Sequence, residues 1–334
     1  MSPTPPAPPY FDAERGAWVL SRYADVMAAL RNPRVWPVAA RGEDQSKTRD
    51  DFGRLRARLE AQEALSASWV AKWQAELTPR ACQAAAGLAT DRPVDLLAEY
   101  FRPWCLNAGL LVMQAAPEDH ARLADLGDRV FAATGALDDS DLRPRAAEAT
   151  AELERFFEGG PVPMGEPTFV AISQTLPRLL ANIWMGLLQH PAEVELLRSE
   201  PHLLAAAVEE LLRFGGIVRR VWRQALADVE VGGIRVASGE RMMLMLASAN
   251  RDPEQFPDPD RLVVTRRVDG QVALGMGRNS CIGNLVIRMA VAATAGALLA
   301  NFAEIGLCGT PEYRVGSGYC FPASVPVRLR REWS

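Results

Sequence analysis

The chain has 334 residues, of which 49% are hydrophobic and 23% are charged, a balance typical of a globular protein with a sizeable core. Its formal net charge is −4 and it has no basic tract, which argues against nucleic acid as a partner. The five cysteines are scattered and show no Cys-x-x-Cys spacing, which argues against a disulfide framework and a zinc site. Without a secretory signal or a long apolar run, we expect a cytoplasmic protein that does not span a membrane.

The N-terminal half of the chain is predicted to be mainly helical. Residues 1–15 form a proline-rich lead that we expect to be disordered. A short strand follows at 18–20, then a helix at 23–30 and a loop over 36–51. Amphipathic periodicity predicts a helix over 52–77, which Thr78-Pro79 should interrupt. Further helices are predicted over 80–90, 94–115, 117–135 and 143–158.

The C-terminal half is predicted to contain one long helix, a β-rich region and an apolar helix. The long helix covers 167–189, and Pro177 should kink it because proline removes a backbone hydrogen bond. Short helices over 192–198 and 201–214 lead to strands between 217 and 246. An apolar helix over 285–302 precedes a hairpin within 311–328. The tip of that hairpin, Gly318 to Phe321, is either part of a pocket wall or a simple cap.

One stretch carries the strongest functional signal, residues 274–288, which read Leu-Gly-Met-Gly-Arg-Asn-Ser-Cys-Ile-Gly-Asn-Leu-Val-Ile-Arg. Gly275, Gly277 and Gly283 surround Cys281, and glycines let a backbone turn sharply and approach a flat ligand closely. A cysteine at a helix N-terminus is expected to favour the thiolate. Such a thiolate is suited to holding haem iron, whereas an isolated cysteine would be read as a small buried hydrophobe.

The stretch resembles the haem-binding loop of the cytochrome P-450 family, which reads Phe-Gly-x-Gly-x-His-x-Cys-x-Gly and is followed by an arginine seven residues after the cysteine. Leu274 and Asn279 replace the aromatic residue and the histidine. The matching residues are Gly275, Gly277, Cys281, Gly283 and Arg288.

The resemblance extends from Trp18 to the C-terminus and is densest over 190–302. Near 150–166 the chain has lost most of a helical excursion that the family normally has. The resemblance implies a mainly α fold with a small β lobe and one haem-thiolate domain over residues 16–334. Haem b would lie between the long central helix and the cysteine loop, with Cys281 as the metal ligand.

The resemblance also implies which residues bind the haem propionates. The family carries a His-x-x-x-Arg pair on the helix that begins near residue 52, where this chain has Phe52 and Arg56. Guanidinium pairs well with carboxylate, so Arg56 is a candidate and Phe52 is not. Arg223 stands at the position of the family's second propionate arginine, and Gln271 replaces a third partner. Arg278, inside the loop, is assigned to the cofactor as well.

Two further motifs match in the same way. Ala171-Ile172-Ser173-Gln174-Thr175 falls on the family's Ala-Gly-x-acid-Thr motif. There Thr175 would order the water that delivers protons, and Gln174 would replace the acid as a weaker helper. Read without the resemblance, both are ordinary polar residues of a helix. Glu210 and Arg213 match the family's structural Glu-x-x-Arg pair, which an additional arginine, Arg261 or Arg267, would complete.

The implied function is that of a cytochrome P-450-type monooxygenase, an oxidoreductase of secondary metabolism that acts on a small apolar or aromatic molecule. Its electron donors would be a ferredoxin and a reductase. Three alternatives remain open from the residues. A peroxide-driven enzyme fits the missing acid at Gln174, a non-redox haem-thiolate enzyme needs no proton relay, and a haem-binding sensor needs no catalysis.

Overall fold

The structure is a computed structural model that describes residues 4–38, 51–133, 142–162, 164–316 and 318–331. The side chains of residues 51–57 and 143 are outside the description. Helices make up most of the described chain, and four small sheets accompany them.

The described ranges contain twelve α-helices. They are α1 Tyr23–Arg31, α2 Asp51–Ala64, α3 Ala67–Ala86, α4 Arg102–Val112, α5 His120–Ala132, α6 Leu142–Phe156, α7 Gly165–Val170, α8 Leu176–Leu188, α9 Pro191–Ser199, α10 Leu204–Gly215, α11 Leu246–Ala249 and α12 Asn284–Asn301. Wider π-helical turns precede α4 (Leu97–Phe101) and join α7 to α8 (Ala171–Thr175). Short 3₁₀ turns occur at Pro117–Asp119, Pro201–Leu203 and Gly277–Asn279.

The strands of the described ranges form a five-stranded sheet and three smaller ones. They are β1 Tyr10–Asp12, β2 Ala17–Leu20, β3 Val35–Pro37, β4 Val94–Asp95, β5 Val221–Ala225, β6 Val229–Val231, β7 Ile234–Val236, β8 Arg241–Leu244, β9 Glu304–Leu307, β10 Tyr313–Val315, β11 Cys320–Pro322 and β12 Pro326–Arg330. The large sheet has the order β1-β2-β8-β5-β3, in which only β2 and β8 run parallel. The others are β4-β12-β9, β10-β11 and β6-β7. Because β1 lies within residues 1–15, the lead that we expected to be disordered is ordered in part.

The core has two hydrophobic clusters. The larger one contains the buried faces of the helices, and the smaller one fills the space between α1 and the strands β5 to β8. Within the described chain, α12 is the helix that is apolar and long enough to cross a bilayer, yet 56% of it is buried inside the protein. That burial is typical of a core helix.

The predicted helix over 52–77 is wrong in its boundaries. The chain breaks at Leu65-Ser66 into α2 and α3, and Pro79 lies inside α3 instead of ending it. A proline inside a helix costs about 3 kcal/mol. The buried face of α3, with Trp73, Leu77 and Ala81, packs against α12, so tertiary packing outweighs that cost. Residues 94–95, also predicted helical, form β4.

The predicted long central helix is confirmed and comprises α7, the π-helical turn and α8, from Gly165 to Leu188. The wide turn comes directly before Pro177, and the Leu176 N–H donates to the Ala171 carbonyl. The wide turn thus lies where the helix lacks one hydrogen bond, because proline has no N–H to donate. Residues 157–164 join α6 directly to this helix, and Met164 takes a left-handed conformation (φ 56°) where the helix begins.

Candidate functional site

The cysteine loop is closed by its own backbone. The Cys281 N–H donates to the Leu274 carbonyl at 2.8 Å, and the Ser280 N–H donates to the Gly277 carbonyl at 3.0 Å. Gly275 and Gly277 both have positive φ angles, 68° and 71°, which favour glycine. A Cβ on Gly277 would also lie 2.9 Å from the carbonyl oxygen of Leu30 in α1. The loop therefore depends on these glycines for its conformation and for its contact with α1.

The Cys281 thiol is mostly shielded from solvent, and this burial raises its pKa above the usual value. The Gly283 N–H, which donates to the sulfur, and the cations Arg58 and Arg288 act in the opposite direction without outweighing burial. The expected stabilisation of the thiolate by the helix N-terminus therefore does not outweigh burial. The sulfur is poorly placed for it, because α12 begins at Asn284 and Cys281 lies before the first turn. A bound metal cation deprotonates a coordinating thiol outright, so this sulfur suits a metal better than a free thiolate.

Arg58, which was not predicted, lies beside the cysteine, and the predicted Arg223 lies near Arg58. Arg58 of α2 donates from Nη2 to the Ser280 carbonyl, and its buried Nε has no partner. Arg223 of β5 is buried and donates from Nη1 to the Trp222 carbonyl at 2.8 Å. Burial lowers the pKa of both, and burial together with the nearby Arg58 lowers that of Arg223 to about 10. The predicted Arg56 has a side chain outside the described residues.

These arginines fit the carboxylates of haem. Among the described residues, no carboxylate pairs with Arg58 or Arg223, although buried charges are normally paired. In the same described part, no group of three His, Cys, Asp or Glu residues could hold a metal ion. Haem needs only one such residue, because its ring supplies the equatorial ligands of the iron.

Arg278 and Gln271, the other two residues compared with the family's haem-binding positions, have different surroundings. Arg278 is exposed, and its guanidinium lies 5.7 Å from the centre of the Trp36 ring, on the outer side of the loop. Gln271 is buried and donates from Nε2 to Glu209 at 3.2 Å. Glu209 also accepts hydrogen bonds from Arg288 at 2.5 and 3.1 Å. Gln271 is thus bound to the Glu209–Arg288 ion pair.

Gln174 and Thr175, which were expected to act together, lie on different faces of the central helix. Ile172, Ser173 and Gln174 are buried, whereas Thr175 is half-buried. Gln174 faces α5, where a Cβ on Gly127 would lie 3.1 Å from the Gln174 Nε2. Its Oε1 accepts a hydrogen bond from Arg178 at 3.2 Å. The less buried face of the helix consists of Ala171, Thr175, Arg178 and Asn182. These residues are three or four positions apart along the chain.

Two glycines connect the central helix to the cysteine loop, and sequence reasoning missed them. Gly215 ends α10, and a Cβ there would lie 2.8 Å from Ile183 Cγ1 of the central helix. On Gly216 it would lie 2.8 Å from the Cβ of Ala273, directly before the loop. The signal was the Phe-Gly-Gly that directly follows the Glu-x-x-Arg motif. These glycines allow the central helix, the end of α10 and the segment before the cysteine loop to approach closely.

The Glu210–Arg213 pair is buried as predicted, but its third member is neither Arg261 nor Arg267. Arg266 occupies that place, with its Nε 3.1 Å from Glu210 Oε1. Arg261 contributes only its carbonyl, and the Arg267 side chain is 91% exposed and pairs with Asp269. Arg266 is selected by a local turn, in which its N–H donates to the Val263 carbonyl at 2.9 Å.

Comparison with known proteins establishes the family. The sequence model for Cytochrome P450 matches residues 196–305. Vitamin D(3) 25-hydroxylase from Pseudonocardia autotrophica is 31% identical over 340 residues, covering 87% of this chain and 81% of the relative. Nocardicin C N-oxygenase from Nocardia uniformis subsp. tsuyamanensis is 29% identical, covering 93% and 89%.

Solved structures agree with the fold. The LnmA cytochrome P450 hydroxylase from the leinamycin biosynthetic pathway of Streptomyces atroolivaceus S-140 matches with a TM-score of 0.80 at 25% identity, over 93% of this chain and 90% of that one. CYP109B1 from Bacillus subtilis matches with a TM-score of 0.83 at 22% identity, over 96% and 95%. The predicted mainly α fold with a small β lobe is confirmed. The chain belongs to the cytochrome P450 family and is a bacterial-type monooxygenase with haem as its cofactor.

Proposed function

We propose that this protein is a cytoplasmic haem-thiolate monooxygenase that binds haem b through Cys281 and hydroxylates a small apolar or aromatic molecule of secondary metabolism. A ferredoxin and a reductase supply its electrons. The observation that carries the proposal is a pair of shielded arginines, Arg58 beside Cys281 and Arg223 near Arg58, which lack carboxylate partners among the described residues. Two cations close to each other, one of them beside a shielded thiol, suit the two propionates of a haem whose iron the sulfur binds.

Each residue of the site has a task in this proposal. Haem held by a thiolate supplies oxygen activation when bound. Cys281 donates its sulfur, and the Gly283 N–H that points at this sulfur moderates its charge. Arg58 and Arg223 fix the orientation of the ring by pairing with its carboxylates. Thr175, on the less buried face of the central helix, holds a water through its hydroxyl and passes protons along it.

Gln174 has an indirect part. An amide does not ionise near neutral pH, so it cannot act as a general acid. Its Oε1 instead holds Arg178 at 3.2 Å, and its side chain fills the space against α5. This observation favours a second candidate, a peroxide-driven enzyme, because an oxidant that already carries its protons needs no acid in the helix.

Haem retention tests the arginine assignment. We expect Arg58→Ala and Arg223→Ala each to weaken haem binding about 10- to 100-fold, since a charge-assisted hydrogen bond contributes about 1.5–3 kcal/mol. The measurement is haem transfer from each variant to an excess of apomyoglobin, together with the melting temperature. Arg235→Ala, in an exposed pair with Asp228, serves as the control. Arg56→Ala distinguishes Arg56 from Arg58 on α2, and unchanged retention in Arg58→Ala and Arg223→Ala contradicts the assignment.

Electron coupling tests the proton path. With reductase and ferredoxin, Thr175→Ala should lower product formed per electron by about an order of magnitude and raise hydrogen peroxide release, because positioned proton transfer contributes at least that much. Gln174→Glu should change coupling little, since this side chain faces α5 and a carboxylate beside Arg178 would stay ionised. Both yields are measured against NADPH consumed.

The same variants decide between the two oxidants. If peroxide is the natural oxidant, turnover with hydrogen peroxide exceeds turnover with the electron donors, and Thr175→Ala changes it little. Tight coupling that Thr175→Ala does not alter would remove Thr175 from the mechanism.

A further inference from the structure

A separate cavity of about 460 Å³ lies between the end of α5, the central helix and the β10–β11 hairpin. Its walls combine aromatic rings with arginines, an arrangement that the proposed haem site does not use. The rings belong to Phe131, Tyr319 and Phe321, and the arginines are Arg102, Arg178 and Arg314. The hairpin tip that the sequence suggested as a pocket wall therefore lines this cavity.

Arg178 is the central cation of the cavity. Its guanidinium carbon lies 3.8 Å from the centre of the Phe131 ring and 5.7 Å from that of Phe321. Nη1 donates to the carbonyl and the side-chain oxygen of Gln174. Among the described residues, Nε and Nη2 have no acceptor and no carboxylate pairs with the group. Burial, together with Arg102 and Arg314, lowers its pKa to about 10, so it remains charged at neutral pH.

The other charges do not neutralise Arg178. Arg102 is paired with Asp128 at 2.9 and 3.1 Å, so these two charges cancel. Arg314 of β10 is exposed and forms no ion pair with another described residue. The cavity thus carries two uncompensated positive charges beside aromatic walls. A planar guanidinium with free N–H donors matches a carboxylate, and the rings match an apolar body.

The position of Arg178 relates this cavity to the proposed chemistry. Thr175 and Arg178 are three residues apart on the less buried face of the central helix, so their Cβ atoms lie about 5–6 Å apart. A molecule held at Arg178 is therefore close to the residue that passes protons in the proposed function.

We propose that the substrate is an amphipathic organic acid, whose carboxylate binds Arg178 and Arg314 and whose apolar part packs against Phe131 and Phe321. This inference rests on the proposed function and adds the chemical class of the substrate. Arg178 binds and orients the acid, and the exposed Arg314 attracts it.

Calorimetric titration of the haem-loaded protein with 4-phenylbutanoate and decanoate, against 4-phenylbutanamide and decanol, tests this class. We expect both acids to bind at least tenfold more tightly than their uncharged partners. Arg178→Gln should weaken the acids about 10- to 100-fold and remove the preference. Arg314→Gln should weaken the binding of the acids a few-fold, and added salt should reduce this difference. Arg328→Gln, an exposed arginine of β12, is the matched control and should change nothing.

Several outcomes overturn the inference. Equal affinity for acid and amide in the unchanged protein overturns it. A preference for the acid that persists in Arg178→Gln also overturns it. A lower melting temperature with preserved preference would mean that Arg178 only packs against Phe131. If Arg178→Gln does not fold, Arg314→Gln and its salt dependence decide. Loss of the thiolate spectrum of the haem concerns the proposed function alone, because the titration does not depend on turnover.

Discussion

We expect Cys281→Ala to lose completely the red-shifted Soret band that a reduced, carbon monoxide-treated protein shows when a thiolate ligates its haem iron. The physical reason is the position of the sulfur. Cys281 is held in a loop closed by two backbone hydrogen bonds, beside the cation Arg58, which has no carboxylate partner among the described residues. Alanine leaves the loop intact and removes only the ligand, so haem that still binds should give the spectrum of a neutral or absent axial ligand. The measurement is the difference spectrum at equal haem content.

The other cysteines provide the controls. Cys82 and Cys308 are half-buried like Cys281, whereas Cys105 and Cys320 are buried. Cys82→Ala and Cys308→Ala should keep the band at full intensity. A normal thiolate band in Cys281→Ala would place the iron at another sulfur and contradict the assignment.

The second large effect concerns stability. Glu210→Ala should lower the free energy of unfolding by about 3–5 kcal/mol, because it leaves buried guanidinium groups without their anion. Glu210 accepts hydrogen bonds from Arg213 at 2.6 and 2.8 Å, from Arg266 at 3.1 Å and from the Val263 N–H at 3.0 Å. The Glu210 and Arg213 side chains are both 0% exposed. Equilibrium unfolding in urea measures the loss.

An exposed pair is the control for this prediction. Arg267 and Asp269 are 3.3 Å apart, and their side chains are 91% and 77% exposed. Exposed ion pairs contribute about 0–1 kcal/mol, so Arg267→Ala should change the unfolding free energy little. A loss in Glu210→Ala as small as that of Arg267→Ala would mean that water replaces the missing anion.

The sequence was sufficient where a local pattern determines the structure. The glycine spacing around Cys281, the turn residues of the hairpins and the long central helix are of this kind. Arg58 was missed because Arg54, Arg56 and Arg58 alternate along one helix, and the pattern alone does not say which of them faces the cysteine. The helix break at Ser66 was missed for a similar reason, since Thr78-Pro79 is the stronger local signal and tertiary packing overrides it.

Contacts between segments that are far apart in the chain could not be predicted from the sequence. Arg261, Arg266 and Arg267 are all close enough along the chain to reach Glu210, and an irregular turn selects among them. The close approach of Gly215 to Ile183 and of Gly216 to Ala273 depends on how three segments pack. Neither glycine repeats with a helical or strand period, so their importance is visible only in three dimensions.

The direct connection between α6 and the central helix has a consequence for motion. Phe157, directly after α6, packs closely against Gly165, where the central helix begins, and its ring lies 5.4 Å from that of Phe169. α6 also packs along α5. A displacement of the α5–α6 pair is therefore transmitted to the central helix through a few rigid contacts, with no long connection to absorb it. Such a displacement would reach the start of the helix that carries Thr175.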